Sequence, residues 1–201
     1  MLRVLTLFGT RPEVIKLAPV IRQLEARPDC FETINVASGQ HVELLQPFTR
    51  SFGVRVDHDL RVMEPGQTPN TVCARVLQAL DPILTRERPD IVLVQGDTTT
   101  AMAGALASFN NRIPVGHVEA GLRSGDRLSP FPEEMNRRLI GRLATLHFAA
   151  TSRNRQTLLD EGVAAERVFV TGNPVVDALH EVLANPVESP AIRRLLEGGD
   201  L

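Results

Sequence analysis

The sequence predicts an α/β domain built on a parallel sheet with helices on both faces. Three observations lead there. Short runs rich in Val, Ile and Leu alternate with segments of helical period, the pattern of repeated βα units. Two of the runs, at 91–95 and 114–118, are almost continuously apolar, as strands covered on both faces are. The length of 201 residues suits one well-buried core and is short for two ordinary domains.

Strands are read at 2–8, 32–37, 91–95, 114–118, 146–149 and 167–170, with a weaker one near 57–62. In the first helix Thr10 and Glu13 have the spacing of a capping box. Val14, Leu17, Ala18, Ile21 and Leu24 follow on one face, and the helix ends before Pro28. A second helix is placed at 40–52. A longer one at 69–87 carries Val72, Val76, Leu80, Ile83 and Leu84 in period, with Pro82 inside it as an expected kink. Further helices are expected at 98–110, 132–143, 152–161 and 174–184. After 184 the apolar period weakens, and Asn185-Pro186, Ser189-Pro190 and Gly198-Gly199 punctuate a polar stretch. The domain is therefore assigned to residues 1–184, and 185–201 to a linker or tail.

Composition removes several classes of function. A chain that is 43% hydrophobic and 23% charged is globular rather than disordered. The 22 Lys and Arg are interspersed among 24 Asp and Glu for a net charge of -2, which leaves no basic footprint for nucleic acid. The apolar start from Met1 to Phe8 reaches Gly9-Thr10-Arg11-Pro12 too soon for a signal peptide, and no run is long enough to span a membrane. A cytoplasmic location is expected. Cys30 and Cys73 stand without a C-x-x-C pair or a neighbouring His set, so they are read as buried free thiols, with no metal site and no disulfide.

In an open parallel sheet, ligands collect outside the carboxyl ends of the strands. After the first strand, Gly9 permits a tight turn, and the following helix aims free backbone N–H groups at the crevice. No G-x-G-x-x-G is present, so a nicotinamide dinucleotide is not supported. Arg11 and Lys16 lie near the start of that helix, where its dipole disfavours cations by roughly 0.3–1 kcal/mol each. Either an anion binds there, or Glu13 and solvent balance two surface cations. Asp97 and Glu119 follow two further strands and reach the same rim; Glu133 begins a later helix after Ser129-Pro130-Phe131-Pro132. Acids converging near cations suit proton transfer. Against this, Asp97 could cap the next helix, and Glu133 with Glu134 could serve a helix N-terminus. Glu119 has no helix directly after it to cap. His117, inside an apolar strand, is read as a hydrogen-bonded core histidine.

Six stretches then carry a resemblance. They are Phe8 to Lys16, Gly39-Gln40-His41, Gln95 to Thr100, Gly116 to Arg123, Ser129 to Glu134, and Thr171-Gly172-Asn173. Spread in order along the chain, they resemble the non-hydrolysing UDP-N-acetylglucosamine 2-epimerases. The resemblance implies a Rossmann-like domain, one half of a two-domain GT-B-type architecture, and a homodimer. It implies interconversion of UDP-N-acetylglucosamine and UDP-N-acetylmannosamine by elimination of UDP to a 2-acetamidoglucal, followed by re-addition with inversion at C2. No nicotinamide, metal or other cofactor takes part. By the same resemblance Asp97, Glu119 and Glu133 match the catalytic acids, and Arg11 and Lys16 the substrate-site cations.

Family members carry a second domain that grips the uridine and diphosphate; nothing in the 201 residues corresponds to it, so these residues alone are expected to be inactive. A regulatory site for a second substrate molecule would involve Gln40, His41 and Glu43, but Val42 stands where an arginine is usual. The competing readings are a non-catalytic binding or dimerising module, and a hydrolysing epimerase or glycosyltransferase of similar architecture. Pro12 and Ile15-Lys16 favour the non-hydrolysing branch.

Overall fold

A computed structural model describes residues 1–39 and 42–184, apart from the side chains of 42–46. The expected linker at 185–201 lies outside the described residues. In chain order the elements are β1 (Leu2–Phe8), α1 (Arg11–Glu25), β2 (Phe31–Ala37), α2 (Val42–Ser51), β3 (His58–Asp59), α3 (Pro69–Glu87), β4 (Ile91–Gln95), α4 (Thr99–Asn110), β5 (Val115–Ala120), α5 (Glu133–Leu143), β6 (Leu146–Ala149), α6 (Ser152–Asp160), β7 (Val168–Val170) and α7 (Pro174–Ala184). A short 3₁₀ turn at Ala165–Arg167 precedes β7. The strands form one seven-stranded sheet, all parallel, in the order β3-β2-β1-β4-β5-β6-β7. This is a Rossmann-like sheet. The weak strand near 57–62 is reduced to two residues at one edge. Helix α3 continues through Pro82.

Alternation along the strands divides the core. Leu5, Leu7, Ile34, Val36, Val92, Val94 and Val115 face α3, α4 and α5, where Val76, Leu80, Ala103 and Ile140 meet them. The opposite faces of β1, β2 and β5 present Phe8, Ala37 and Val118 to Val14, Leu17 and Ile21 of α1 and to Ala178 of α7. Helix α4 comes close because its inner face is small. A Cβ built on Gly104 would lie 2.2 Å from Leu7 Cδ2. Cys30 is exposed and Cys73 half-buried, which corrects the expectation of two buried thiols. Cys30 sits in the turn before β2, where no layer covers it. Among the described residues no helix is long and apolar enough to cross a membrane.

His117 and His147 are paired across β5 and β6, and each is only 1% exposed. Burial holds both imidazoles neutral, with pKa values lowered to about 4; a hydrogen bond to the Gly96 carbonyl partly opposes this for His117. The unfolded chain therefore binds protons more readily than the folded one between pH 6.5 and about 4. Stability from these groups is full above 6.5 and falls as the pH drops, by on the order of 3 kcal/mol per histidine. The carboxyl of buried Glu13, raised from 4.5 by its burial, works in the opposite direction from pH 4.5 upward, within the range of the two histidines and against their combined effect. Urea unfolding at pH 7.5, 5.5 and 4.5 is expected to show a stepwise loss of stability. An unchanged midpoint across that range would contradict this account.

Candidate active site

The strand order reverses between β1 and β4, so the connections leaving these two strands diverge and open a crevice at their carboxyl ends. Helix α1 starts on one wall. Glu13, 1% exposed, supplies the glutamate half of the capping box: its Oε2 accepts from the N–H groups of Gly9 (2.9 Å) and Thr10 (2.6 Å). Its Oε1 accepts from the Thr98 hydroxyl at 2.7 Å, joining the start of α1 to the start of α4. Glu13 is thus committed to backbone and Thr98. Lys16 instead donates to Glu119 Oε2 at 2.6 Å, and the exposed Arg11 guanidinium lies 5.3 Å over the Phe48 ring. The reading in which Glu13 balances these two cations is not what the structure has.

Glu119 lies where β5 loses its register with β6, between Val118 and Ala120, and its φ is 66°. For a non-glycine residue this left-handed conformation costs about 1–3 kcal/mol. Strict alternation would send the side chain to the face of Val115 and His117; the bulge redirects it toward α1 and α7. Three donors meet it there: Lys16 Nζ and Gln95 Nε2, each 2.6 Å from Oε2, and Asn173 Nδ2, 2.9 Å from Oε1. A Cβ on Gly96 would lie 3.8 Å from Oε2, so the carboxylate sits beside the peptide that leads into Asp97.

Asp97 does not cap α4. Thr98 does, its hydroxyl accepting from Ala101 N–H at 3.0 Å, which leaves the Asp97 carboxylate to receive the Arg137 guanidinium. Asn136 also donates to the Asp97 carbonyl at 2.9 Å. Both partners come from α5, whose first residue is Glu133. Positions 133, 136 and 137 are three and four apart, hence on one helix face, so the face of Glu133 is the face that meets Asp97. Glu133 Oε2 is buried and has no protein hydrogen-bond partner. Asn136 and Arg137 were not singled out from the sequence, although this spacing carries them.

The neighbouring Glu134 has the structural role. Fully buried, it accepts from Ser124 N–H (3.0 Å), Arg138 Nε (2.8 Å) and Arg137 Nη1 (3.2 Å). Burial alone would raise its carboxyl, but the Ser124 bond and the two guanidinium groups outweigh it and hold the group below the usual range. Glu134→Ala would leave the buried Arg137 with Asp97 as its remaining counter-charge and the Ser124 N–H without its acceptor, and chemical denaturation should register a loss of about 1–3 kcal/mol. A loss below 1 kcal/mol would show that Arg137 finds other compensation.

The sheet therefore brings Asp97, Glu119, Lys16 and the Glu133 face of α5 to one crevice, with Arg11 on its α1 side. Of the expected regulatory residues, Gln40 and His41 lie outside the described residues, as does the side chain of Glu43. Among the described residues no group of three His, Cys, Asp or Glu side chains is arranged to hold a metal ion.

Residues 22–198 match the family described as UDP-N-acetylglucosamine 2-epimerase. The chain belongs to that family. It is 50% identical over 192 residues to a UDP-N-acetylglucosamine 2-epimerase of Yersinia pestis, covering 96% of this chain and 51% of the relative. It is 53% identical over 178 residues to one of Salmonella typhimurium, covering 89% and 47%. This epimerase-family chain thus spans about half the length of the curated relatives it matches. Among solved structures, the Neisseria meningitidis UDP-GlcNAc 2-epimerase bound to UDP-GlcNAc superposes with a TM-score of 0.91 at 42% identity, over 97% of this chain and 52% of that one. A lipopolysaccharide outer core galactosyltransferase, WaaB, shares the fold alone, with a TM-score of 0.62 at 11% identity over 85% of this chain and 45% of its own.

Proposed function

We propose that this chain is the amino-terminal, acid-bearing half of a non-hydrolysing UDP-N-acetylglucosamine 2-epimerase. The observation that carries the reading is the crevice itself, where two carboxylates, Asp97 and Glu119, are each held by a cation, Arg137 and Lys16, beside the helix face of Glu133. Converting the gluco to the manno epimer requires loss of the proton on C2, which a rim acid accepts. The C1–O bond then breaks, and its electron pair leaves with UDP. Arg11 and Lys16 supply positive charge toward the departing diphosphate. Return of a proton to C2 from the other face, with re-addition of UDP to C1, gives UDP-N-acetylmannosamine without net oxidation. The relatives' names and the UDP-GlcNAc bound in the Neisseria structure support this substrate. A cytoplasmic location and a homodimer go with the reading.

The test is a polypeptide in which residues 1–184 are continued by the second half of the Salmonella relative, incubated with UDP-N-acetylglucosamine alone. The expected result is an equilibrium mixture of the two UDP-sugars with no added nicotinamide or metal. Release of free N-acetylmannosamine, or no conversion by a folded protein, would overturn the assignment.

A further inference from the structure

We infer that Asn173 is a positioning residue that fixes the orientation of Glu119 from the far wall of the crevice. The inference rests on the epimerase reading above and adds a role to it. Glu119 turns into the crevice only because its backbone is bulged, and an unrestrained side chain at such a point could swing toward solvent. Lys16 and Gln95 both address Oε2. Asn173 Nδ2, at 2.9 Å, is the donor on Oε1, so it sets the rotation of the carboxylate about its last bond. The opposite end of the same amide accepts from Val175 N–H at 3.1 Å and so anchors it to the first turn of α7. The segment is fixed in turn: Thr171 N–H bonds to the Ala149 carbonyl at 3.0 Å, and Ala178 is buried against α1. Asn173 thereby places Glu119 in a frame made by α1, β4 and α7.

A purely capping role for Asn173 predicts different behaviour, and two variants separate the cases. Asn173→Ser keeps a cap-forming hydroxyl but is too short to reach Glu119. In the completed polypeptide its turnover is expected to fall about 10²-fold with little change in KM and an unchanged unfolding midpoint. Asn173→Asp keeps the cap and, when ionised, faces Glu119 with like charge; when protonated it can donate again. Its activity relative to wild type should therefore recover as the pH is lowered, whereas a capping carboxylate serves best ionised. In the 201-residue chain itself, the Asn173 side-chain amide protons should exchange slowly with solvent, and Glu119→Ala should abolish that protection. Wild-type turnover of Asn173→Ser beside an inactive Glu119→Gln would overturn the positioning role alone. Full turnover of Glu119→Gln would overturn the epimerase assignment of Glu119 as well.

Discussion

Asp97→Asn, Glu119→Gln and Glu133→Gln, each made singly in the completed polypeptide, are expected to slow epimerisation by about 10²–10⁴-fold, the usual worth of one positioned acid or base. The amides keep volume and shape, so the loss reports charge and proton-accepting capacity rather than packing. Their side effects should differ. Asp97→Asn removes the anion facing Arg137, which is 8% exposed, and should also lower stability. Glu119→Gln leaves Lys16, which is 23% exposed and can rehydrate, so its stability cost should be smaller. Glu133 has no protein partner on Oε2, and its amide should fold as the wild type does. Initial rates of UDP-N-acetylmannosamine formation, with circular dichroism on the same samples, check all three. Wild-type rates throughout would remove the acids from the chemistry.

The 201 residues by themselves are expected to bind UDP-N-acetylglucosamine weakly and to leave it unchanged. Elimination requires the diphosphate to be held while C1–O breaks and then returned to the same intermediate. Such placement is worth about 7–11 kcal/mol of barrier, which a solvent-facing Arg11 and a Lys16 already paired with Glu119 do not supply. Ligand-observed NMR at high protein concentration measures binding and conversion together. Conversion at a rate near that of the completed polypeptide would show that one wall of the crevice suffices.

Much of the fold was legible because apolar runs and helical periods alternate so regularly. The capping spacing of Thr10 and Glu13 placed the start of α1, and the carboxyl-end rule pointed to Arg11, Lys16, Asp97 and Glu119 together. The rest depended on single-residue details. Asp97 and Thr98 are both capping types, and only the start of α4 at Thr99 decides between them. The bulge at Glu119 carries no glycine at the strained position; read as a continuous apolar run, the strand ended at 118, whereas it runs to Ala120. Arg137 was within reach of the helix-face rule from Glu133, but its partner Asp97 is 40 residues away in sequence. The capping role read for Glu13 holds, and the alternative in which it balances Arg11 and Lys16 fails because the carboxylate is buried between two helix starts, where it also accepts from Thr98.

The most direct test of the central claim, proton transfer at C2 by the crevice acids, is isotopic. The completed polypeptide is given UDP-N-acetylglucosamine in deuterated water, and the product is followed by NMR. Elimination and re-addition predict UDP-N-acetylmannosamine carrying one solvent deuterium at C2, with Glu119→Gln slowing its formation. Product that retains the original C2 hydrogen would contradict the account.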